Sequence, residues 1–190
     1  MKIDNIKNYL SSPDFMNLAN EMYELTINNE CPDYKNWFYN KQIKGCLTPY
    51  RNILFIKNEN GNIIALCSLK KDANERKICT LFVAKEYRNQ GLGSLLIEEA
   101  MKYLETTKPL ITINEDKLAM FKNLITKYNW NLTEVALGIY SENVKEFCFN
   151  GKLTSLNYKE ELIKVLNKIK SKAETSLQDN DRITEISIRK

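Results

Sequence analysis

The feature that most constrains this chain is a strand, a glycine-bearing loop and a helix that follow one another without a break. The strand is an apolar, β-prone run that ends at Val83, and the helix repeats apolar residues at three- and four-residue spacing up to Leu104. The loop between them reads Tyr87-Arg88-Asn89-Gln90-Gly91-Leu92-Gly93-Ser94. This order predicts a sharp turn at the end of a buried strand, with the first turn of the helix facing the loop.

The loop is suited to binding a pyrophosphate. Gly91 and Gly93 carry no Cβ, so the backbone can turn sharply and approach a ligand closely. The unpaired N–H groups of the first helical turn point towards an anion, and the helix dipole adds to the attraction. Arg88 adds a positive charge and Ser94 a hydroxyl donor. A Walker P-loop does not fit because no lysine follows Gly93, and a dinucleotide fingerprint does not fit because position 96 is leucine.

Residues Arg88 to Gly93 resemble the acyl-CoA motif of the GNAT acyltransferases, Gln/Arg-x-x-Gly-x-Gly/Ala, at every fixed position. The strand in front and the helix behind supply the context that so short a motif needs. The resemblance covers Phe15 to Gly151 and implies an α/β (α+β) fold, with a mixed, mostly antiparallel sheet splayed at its central strands and flanked by helices. It also implies an enzyme that transfers an acetyl group from acetyl-CoA directly to an amine of a small molecule or protein.

The resemblance further implies how acetyl-CoA, the acyl-donor substrate, is held. The pyrophosphate lies on the loop, and the amides of the pantetheine arm pair with the exposed edge of the central strand. A backbone N–H of Phe82 or Val83 holds the tetrahedral oxyanion. The predicted cofactor-binding residues are Leu81, Phe82, Val83, Arg88, Asn89, Gln90, Gly91, Leu92, Gly93, Ser94 and Asn114.

The reaction needs a base, because the amine must be neutral to attack the thioester. Glu75 is the first candidate. It precedes the central strand and is separated by steps of two residues from Lys77, Cys79 and Leu81, which predicts that the four side chains share one face. For such a carboxylate, a solvated turn residue is the competing interpretation. The alternatives are a water relay and two carboxylates at the mouth of the splayed strands, Glu115 and Asp116.

The acid that protonates the leaving thiolate departs from the family pattern. The resemblance implies a tyrosine four residues before a closing Gly-Phe, but Asn129-Trp130 stands there and the tyrosine position is Ile125. Tyr128 and Tyr140 are the nearby substitutes, with water or purely structural tyrosines as the alternatives. The missing tyrosine leaves open a non-catalytic acyl-CoA-binding or regulatory module of the same fold.

Composition narrows the remaining classes of function. The 190 residues include no histidine, which excludes Ser-His-Asp and Cys-His catalysis, and five cysteines without a CxxC pair, so we expect no metal site. Scattered cysteines, with neither a signal peptide nor a membrane-length apolar run, predict a cytoplasmic protein. The net charge of +4 is compatible with an anionic cofactor and does not by itself indicate nucleic acid.

The remaining elements follow from local signals. Ser12-Pro13-Asp14 predicts a helix start, Cys31-Pro32 its break, and Asp33 the cap of a second helix. The first ten residues predict a strand or a short helix. The other expected strands are Asn52 to Lys57 and Ile63 to Leu69, joined by a hairpin turn, Leu110 to Ile113, and a late hairpin of Leu132 to Tyr140 with Val144 to Phe149.

We expect a GNAT domain over residues 1–151 and a separate C-terminal segment over residues 152–190. That segment combines a lysine-rich amphipathic helix, with capping-box spacing at Asn157 to Glu160, and a short β-prone tail. Its narrow apolar stripe fits docking on its own domain or a homodimer contact, and an interaction protein working through this helix is the third functional alternative. It lacks the aromatic residues of nucleic-acid and membrane surfaces, so neither partner is expected.

Overall fold

The computed structural model describes residues 2–27 and 33–153. Within them, seven strands form one sheet in the order β1-β2-β3-β4-β5-β7-β6, and every neighbouring pair is antiparallel except β4 and β5. The strands are β1 Ile3–Asn5, β2 Arg51–Lys57, β3 Ile63–Lys71, β4 Arg76–Val83, β5 Leu110–Asn114, β6 Leu132–Leu137 and β7 Lys145–Phe149. The predicted mixed, mostly antiparallel sheet is confirmed.

Helices flank the sheet. They are α1 Phe15–Thr26, α2 Tyr34–Trp37, α3 Lys44–Cys46, α4 Leu92–Leu104 and α5 Leu118–Lys127. A π-helical turn, Phe38–Ile43, joins α2 to α3, and 3-10 turns occur at Ile6–Tyr9, Lys85–Tyr87 and Glu115–Lys117. Across residues 2–27 and 33–153, none of the helices has the length and apolarity that a bilayer crossing requires.

Two apolar layers hold these helices on opposite faces of the sheet. On one face, α4 buries Leu96, Ile97 and Ala100 against β3 and β4, with α5 packed beside them. On the other face, Met22 of α1 and Phe38 of the π-helical turn pack against Phe55 of β2. The faces are called here the α4 face and the α1 face.

Several predicted boundaries shift for local reasons. The first helix begins at Phe15, because the Ser12 hydroxyl accepts a bond from the Asp14 N–H at 3.1 Å and closes a turn ahead of it. Asp33 does not cap its helix, since its carboxylate accepts from the Asn36 amide at 3.2 Å. The first ten residues form both a strand and a 3-10 turn. The predicted break at Cys31-Pro32, and the helix and tail predicted from residue 157 onwards, lie outside the described residues.

A bulge in β4 decides the shape of the sheet's centre. Leu69 pairs with Ile78 and Ser68 with Thr80, which leaves Cys79 as an extra residue on β4. A bulge bends its strand and increases the local twist. The parallel ladder between β4 and β5 reaches no further than Ile78, so the two strands separate where the bulge begins. The predicted splay of the central strands therefore has a local cause.

Candidate active site

Beyond the bulge, β4 has an edge that no strand of the described residues pairs with. The Ala84 N–H donates to the Ile64 carbonyl at 2.8 Å, and bonding direction alternates along an antiparallel strand. Phe82 therefore directs its N–H and C=O groups at β3, whereas Leu81 and Val83 direct theirs into the gap beside β5. Of the two predicted oxyanion donors, the N–H of Phe82 is thus turned away from the gap and that of Val83 faces it.

The first turn of α4 lies beside this open edge. Gly93 sits so close that a Cβ there would stand 3.9 Å from Val83 Cγ2. Gly91 precedes the helix with a φ of +85° and no side-chain cap, and the first helical bond runs from the Leu95 N–H to the Gly91 carbonyl. The N–H groups of residues 92–94 therefore precede the helical bonding pattern and are available to an anion. The helix therefore begins at Leu92, inside the stretch that the sequence predicts as loop.

Two side chains of the loop stabilise its conformation through hydrogen bonds to the backbone. Arg88 Nε donates to the Val83 carbonyl at 3.0 Å, and Gln90 Nε2 donates to the Glu86 carbonyl at 3.1 Å. Asn89 has a φ of +61°, a left-handed conformation that asparagine tolerates better than most residues. Arg88, Asn89 and Gln90 are all exposed, so the loop presents its charge and its backbone to solvent.

Polar side chains lie around the bulge on the α1 face and form the polar cluster: Gln42, Arg51, Lys77, Cys79, Tyr140 and Glu146. Lys77 is only 8 % exposed, and its Nζ donates to the Tyr140 hydroxyl at 3.0 Å. Arg51 Nη1 lies 3.9 Å from Cys79 Sγ. Gln42, which the π-helical turn places in the core, accepts from Arg51 Nη1 at 2.9 Å and so orients it. The N-terminal helices, the centre of the sheet and the late hairpin thus meet at one place.

Sequence reasoning missed Glu146, a buried carboxylate on β7. Phe147 packs into the core of the α4 face, so Glu146 faces the other side of the sheet, towards Lys77. Burial raises the pKa of the Glu146 carboxyl above its ordinary value of 4.5, against the opposing charges of Lys117 and Lys77. The alternation Lys145-Glu146-Phe147 was the available signal, because it places an acid on one face of a strand and an aromatic ring on the other.

The predicted bases are engaged elsewhere. Glu75 Oε2 lies 2.6 Å from Lys70 Nζ, which makes it one partner of an ion pair. The face predicted for Glu75, Lys77, Cys79 and Leu81 is not shared, because the bulge turns Leu81 into the core of the α4 face. Both oxygens of Glu115 are held by Lys145, through its N–H at 3.2 Å and its Nζ at 3.7 Å, and Asp116 is exposed.

The two candidate tyrosines lie on different faces of the sheet. Tyr128 packs on the α4 face, where its hydroxyl donates to Glu98 Oε1 at 2.9 Å. Tyr140 instead contacts Lys77 on the α1 face. Asn114 ends β5, and its side-chain oxygen accepts from the Asp116 N–H at 2.8 Å, which leaves its NH₂ group for other contacts.

The comparisons with known proteins agree with this geometry. Residues 12–124 match the family model described as the acetyltransferase (GNAT) family. The chain belongs to the GNAT acetyltransferase family. N-alpha-acetyltransferase 60 of Xenopus tropicalis is 30 % identical over 95 residues, which cover 45 % of this chain and 39 % of that protein. The match therefore spans well under half the length of this curated relative.

Solved structures of other GNAT-fold acetyltransferases show the same architecture. The NatC complex bound to Gag peptide and CoA has a TM-score of 0.59 at 18 % identity, covering 78 % of this chain and 97 % of that chain. Aminoglycoside 6'-N-acetyltransferase complexed with coenzyme A has a TM-score of 0.57 at 10 % identity, covering 78 % and 95 %. At these identities the likeness shows the fold alone.

Because Glu146 is buried, the stability of the folded protein should decrease as the pH rises. The pKa of the Glu146 carboxyl is higher in the folded than in the unfolded chain. The folded state therefore loses stability as the pH rises from the ordinary pKa of 4.5 through the raised pKa of the folded protein. Glu146→Gln removes this loss. In urea denaturation we expect the variant to be more stable than the parent near pH 8, and the two to converge near pH 4. Glu115→Gln, at an exposed ion pair, is the control, and equal stabilities near pH 8 would contradict the assignment.

Proposed function

We propose that this GNAT protein transfers the acetyl group of acetyl-CoA to an amine by direct attack. The observation that carries the proposal is the open edge of β4 beside the uncapped first turn of α4. The amides of a pantetheine arm can pair with such an edge as an added strand does, and the helix N-terminus suits the pyrophosphate. The two structural neighbours bound to CoA support acetyl-CoA as the donor.

The proposed donor site uses backbone groups more than side chains. Leu81 and Val83 pair with the pantetheine arm, and the exposed Arg88 adds charge at the pyrophosphate. The NH₂ group of Asn114 lies at the end of β5, on the far side of the gap. The remaining groups belong to the loop and first turn: Asn89, Gln90, Gly91, Leu92, Gly93 and Ser94.

In the proposed reaction the amine nitrogen attacks the thioester carbonyl carbon. Glu146 takes the proton from the amine, directly or through one water, because it is buried, raised in pKa and on the same face as Lys77. The Leu81 N–H, rather than the predicted Val83 N–H, donates to the oxyanion on the carbonyl oxygen, because Val83 lies against the first turn of α4, at the pyrophosphate end of the donor. Collapse of the tetrahedral intermediate breaks the C–S bond, and the Tyr140 hydroxyl gives its proton to the thiolate. The products are the N-acetylated amine and CoA.

In this proposal Glu146 takes the role predicted for Glu75, and Tyr140, one of the two predicted acids, keeps its role while Tyr128 does not. Glu75 is neutralised by Lys70, and the Tyr128 hydroxyl is bound on the opposite face of the sheet. The proposed acceptor is still an amine of a small molecule or protein: one neighbour was solved with a peptide, and another is named for an aminoglycoside. The cytoplasmic location, the domain boundary and the homodimer contact stay predictions.

A charge placed in the first turn of α4 separates donor binding from folding. Ser94→Asp puts an anion where the helix dipole favours it, so the free protein should be unchanged or slightly more stable. The same anion repels a pyrophosphate. In calorimetric titration we expect the Kd for acetyl-CoA to rise at least about 10-fold, which corresponds to about 1.4 kcal/mol. Ser94→Asn is the neutral control and should bind nearly as the parent does.

The outcomes of this titration separate the candidate functions. Tight binding of acetyl-CoA to Ser94→Asp would place the pyrophosphate elsewhere and remove the main support of the proposal. Binding to the parent that is lost in Ser94→Asp, with no turnover of any amine in a broad panel, would favour the non-catalytic acyl-CoA-binding module.

Removal of the proposed base should alter the pH–rate profile. Glu146→Gln keeps the side-chain shape but cannot accept the proton, so we expect kcat/KM to fall about 10²- to 10⁴-fold near neutral pH. The loss should shrink as pH rises, because a larger share of the amine is then already neutral. Glu115→Gln, a surface carboxylate outside the polar cluster, should retain the parent profile. A Glu146→Gln profile parallel to the parent's would rule out Glu146 as the base.

A further inference from the structure

In the part of the chain that the structure describes, two cations on the α1 face have no carboxylate partner. Among the described residues, the ion pairs involve neither Arg51 nor Lys77. Both lie beside Cys79: Arg51 Nη1 is 3.9 Å from its Sγ, and Lys77 and Arg51 both act electrostatically on its thiol. Burying the charge of Lys77 unpaired is costly, and the half-buried Arg51 adds a second positive charge beside it, so the arrangement favours an anion.

The hydrogen-bonding capacity of these cations is also underused. An ammonium carries three donors, and the Lys77 Nζ donates to the Tyr140 hydroxyl alone in the described part of the chain. Lys77 is more than nine-tenths buried, so water has little access to the other two donors. Arg51 donates from Nη1 to Gln42, and its guanidinium lies 5.9 Å from the centre of the Trp37 ring, which helps to fix its position.

Among residues 2–27 and 33–153, the neighbouring groups do not supply the missing negative charge. Burial raises the pKa of the Cys79 thiol, so this side chain stays neutral at physiological pH. Glu75 acts on Lys77 only from beyond ion-pair distance and is itself paired with Lys70. Glu146 also acts from beyond that distance, and as the proposed base it loses its charge during the reaction.

We propose that Lys77 and Arg51 bind a carboxylate of the acceptor, so that the chain acetylates amines that carry an acid group close to the amine. Free amino acids and peptides with an acidic residue next to the N-terminus both have this chemistry. Polyamines do not, and the same two charges would repel them. The inference rests on the proposed function, since it assigns the acceptor class to the same site.

The test compares acceptors that differ by one charge. The pairs are leucine with leucine amide, and peptides beginning Met-Glu with peptides beginning Met-Gln; spermidine is the polycationic probe. For the parent we expect kcat/KM to favour the carboxylate member of at least one pair by about 10- to 100-fold, as charge-assisted hydrogen bonds typically provide. The two pairs distinguish a free amino acid from an acidic peptide.

Matched variants locate the effect. Lys77→Gln and Arg51→Gln should each reduce the preference for the carboxylate by about 10-fold or more. Lys70→Gln is the control: this lysine lies nearby but is already paired with Asp72 and Glu75, so the preference should stay within about twofold of the parent's. A parent that favours the amides or spermidine would overturn the inference, as would a preference unchanged in both Lys77→Gln and Arg51→Gln.

A second readout needs no turnover. Acetyl-leucine and acetyl-leucine amide, and the matching acetylated peptides, are titrated into the protein saturated with CoA. We expect a carboxylate member to bind more tightly, and Lys77→Gln to remove the difference. Equal binding of both members in each pair would contradict the inference. Failure of CoA itself to bind the folded parent would instead refute the proposed function.

Discussion

The structure depends on where the parallel ladder between β4 and β5 stops. The two strands pair at Lys77 and Ile78, and the extra residue Cys79 then bends β4 away. A continuous ladder would have left no unpaired backbone at the centre of the sheet. Because the ladder stops there, the peptide groups of Leu81 and Val83 face a gap between β4 and β5. The two apolar layers hold the residues around this gap in place.

The gap connects two different electrostatic environments. On the α4 face, the first turn of α4 offers backbone donors to an anionic ligand and belongs to a helix anchored by fully buried residues such as Leu96. On the α1 face, Lys77 and Glu146 are buried and Arg51 is half-buried, and charge interactions are stronger there than at the surface. The donor's phosphates and the acceptor's amine are therefore expected on opposite faces, with the thioester between them.

Local signals in the sequence predicted most of the fold. The loop before α4, the turn at Asn58 to Asn62 and the late hairpin are each determined by residues close together in the chain. The polar cluster was not predictable, because it joins residues up to 104 positions apart, from Gln42 to Glu146, through strand pairing and burial. The bulge at Cys79 has no glycine or proline to mark it, and it reversed the face expected for Leu81. The local sequence pattern therefore favoured Glu75 as the base, and the ion pair between Glu75 and Lys70 became visible only in the structure.

Amide hydrogen exchange at β4 tests the central claim most directly. In the free protein, the N–H groups of Leu81 and Val83 should exchange faster than that of Phe82, which is bonded to β3. With acetyl-CoA bound, the account predicts strong slowing at Val83 or Leu81 and little change at Phe82. Binding of acetyl-CoA that leaves the exchange of Leu81 and Val83 unchanged would contradict the placement of the donor at the open edge.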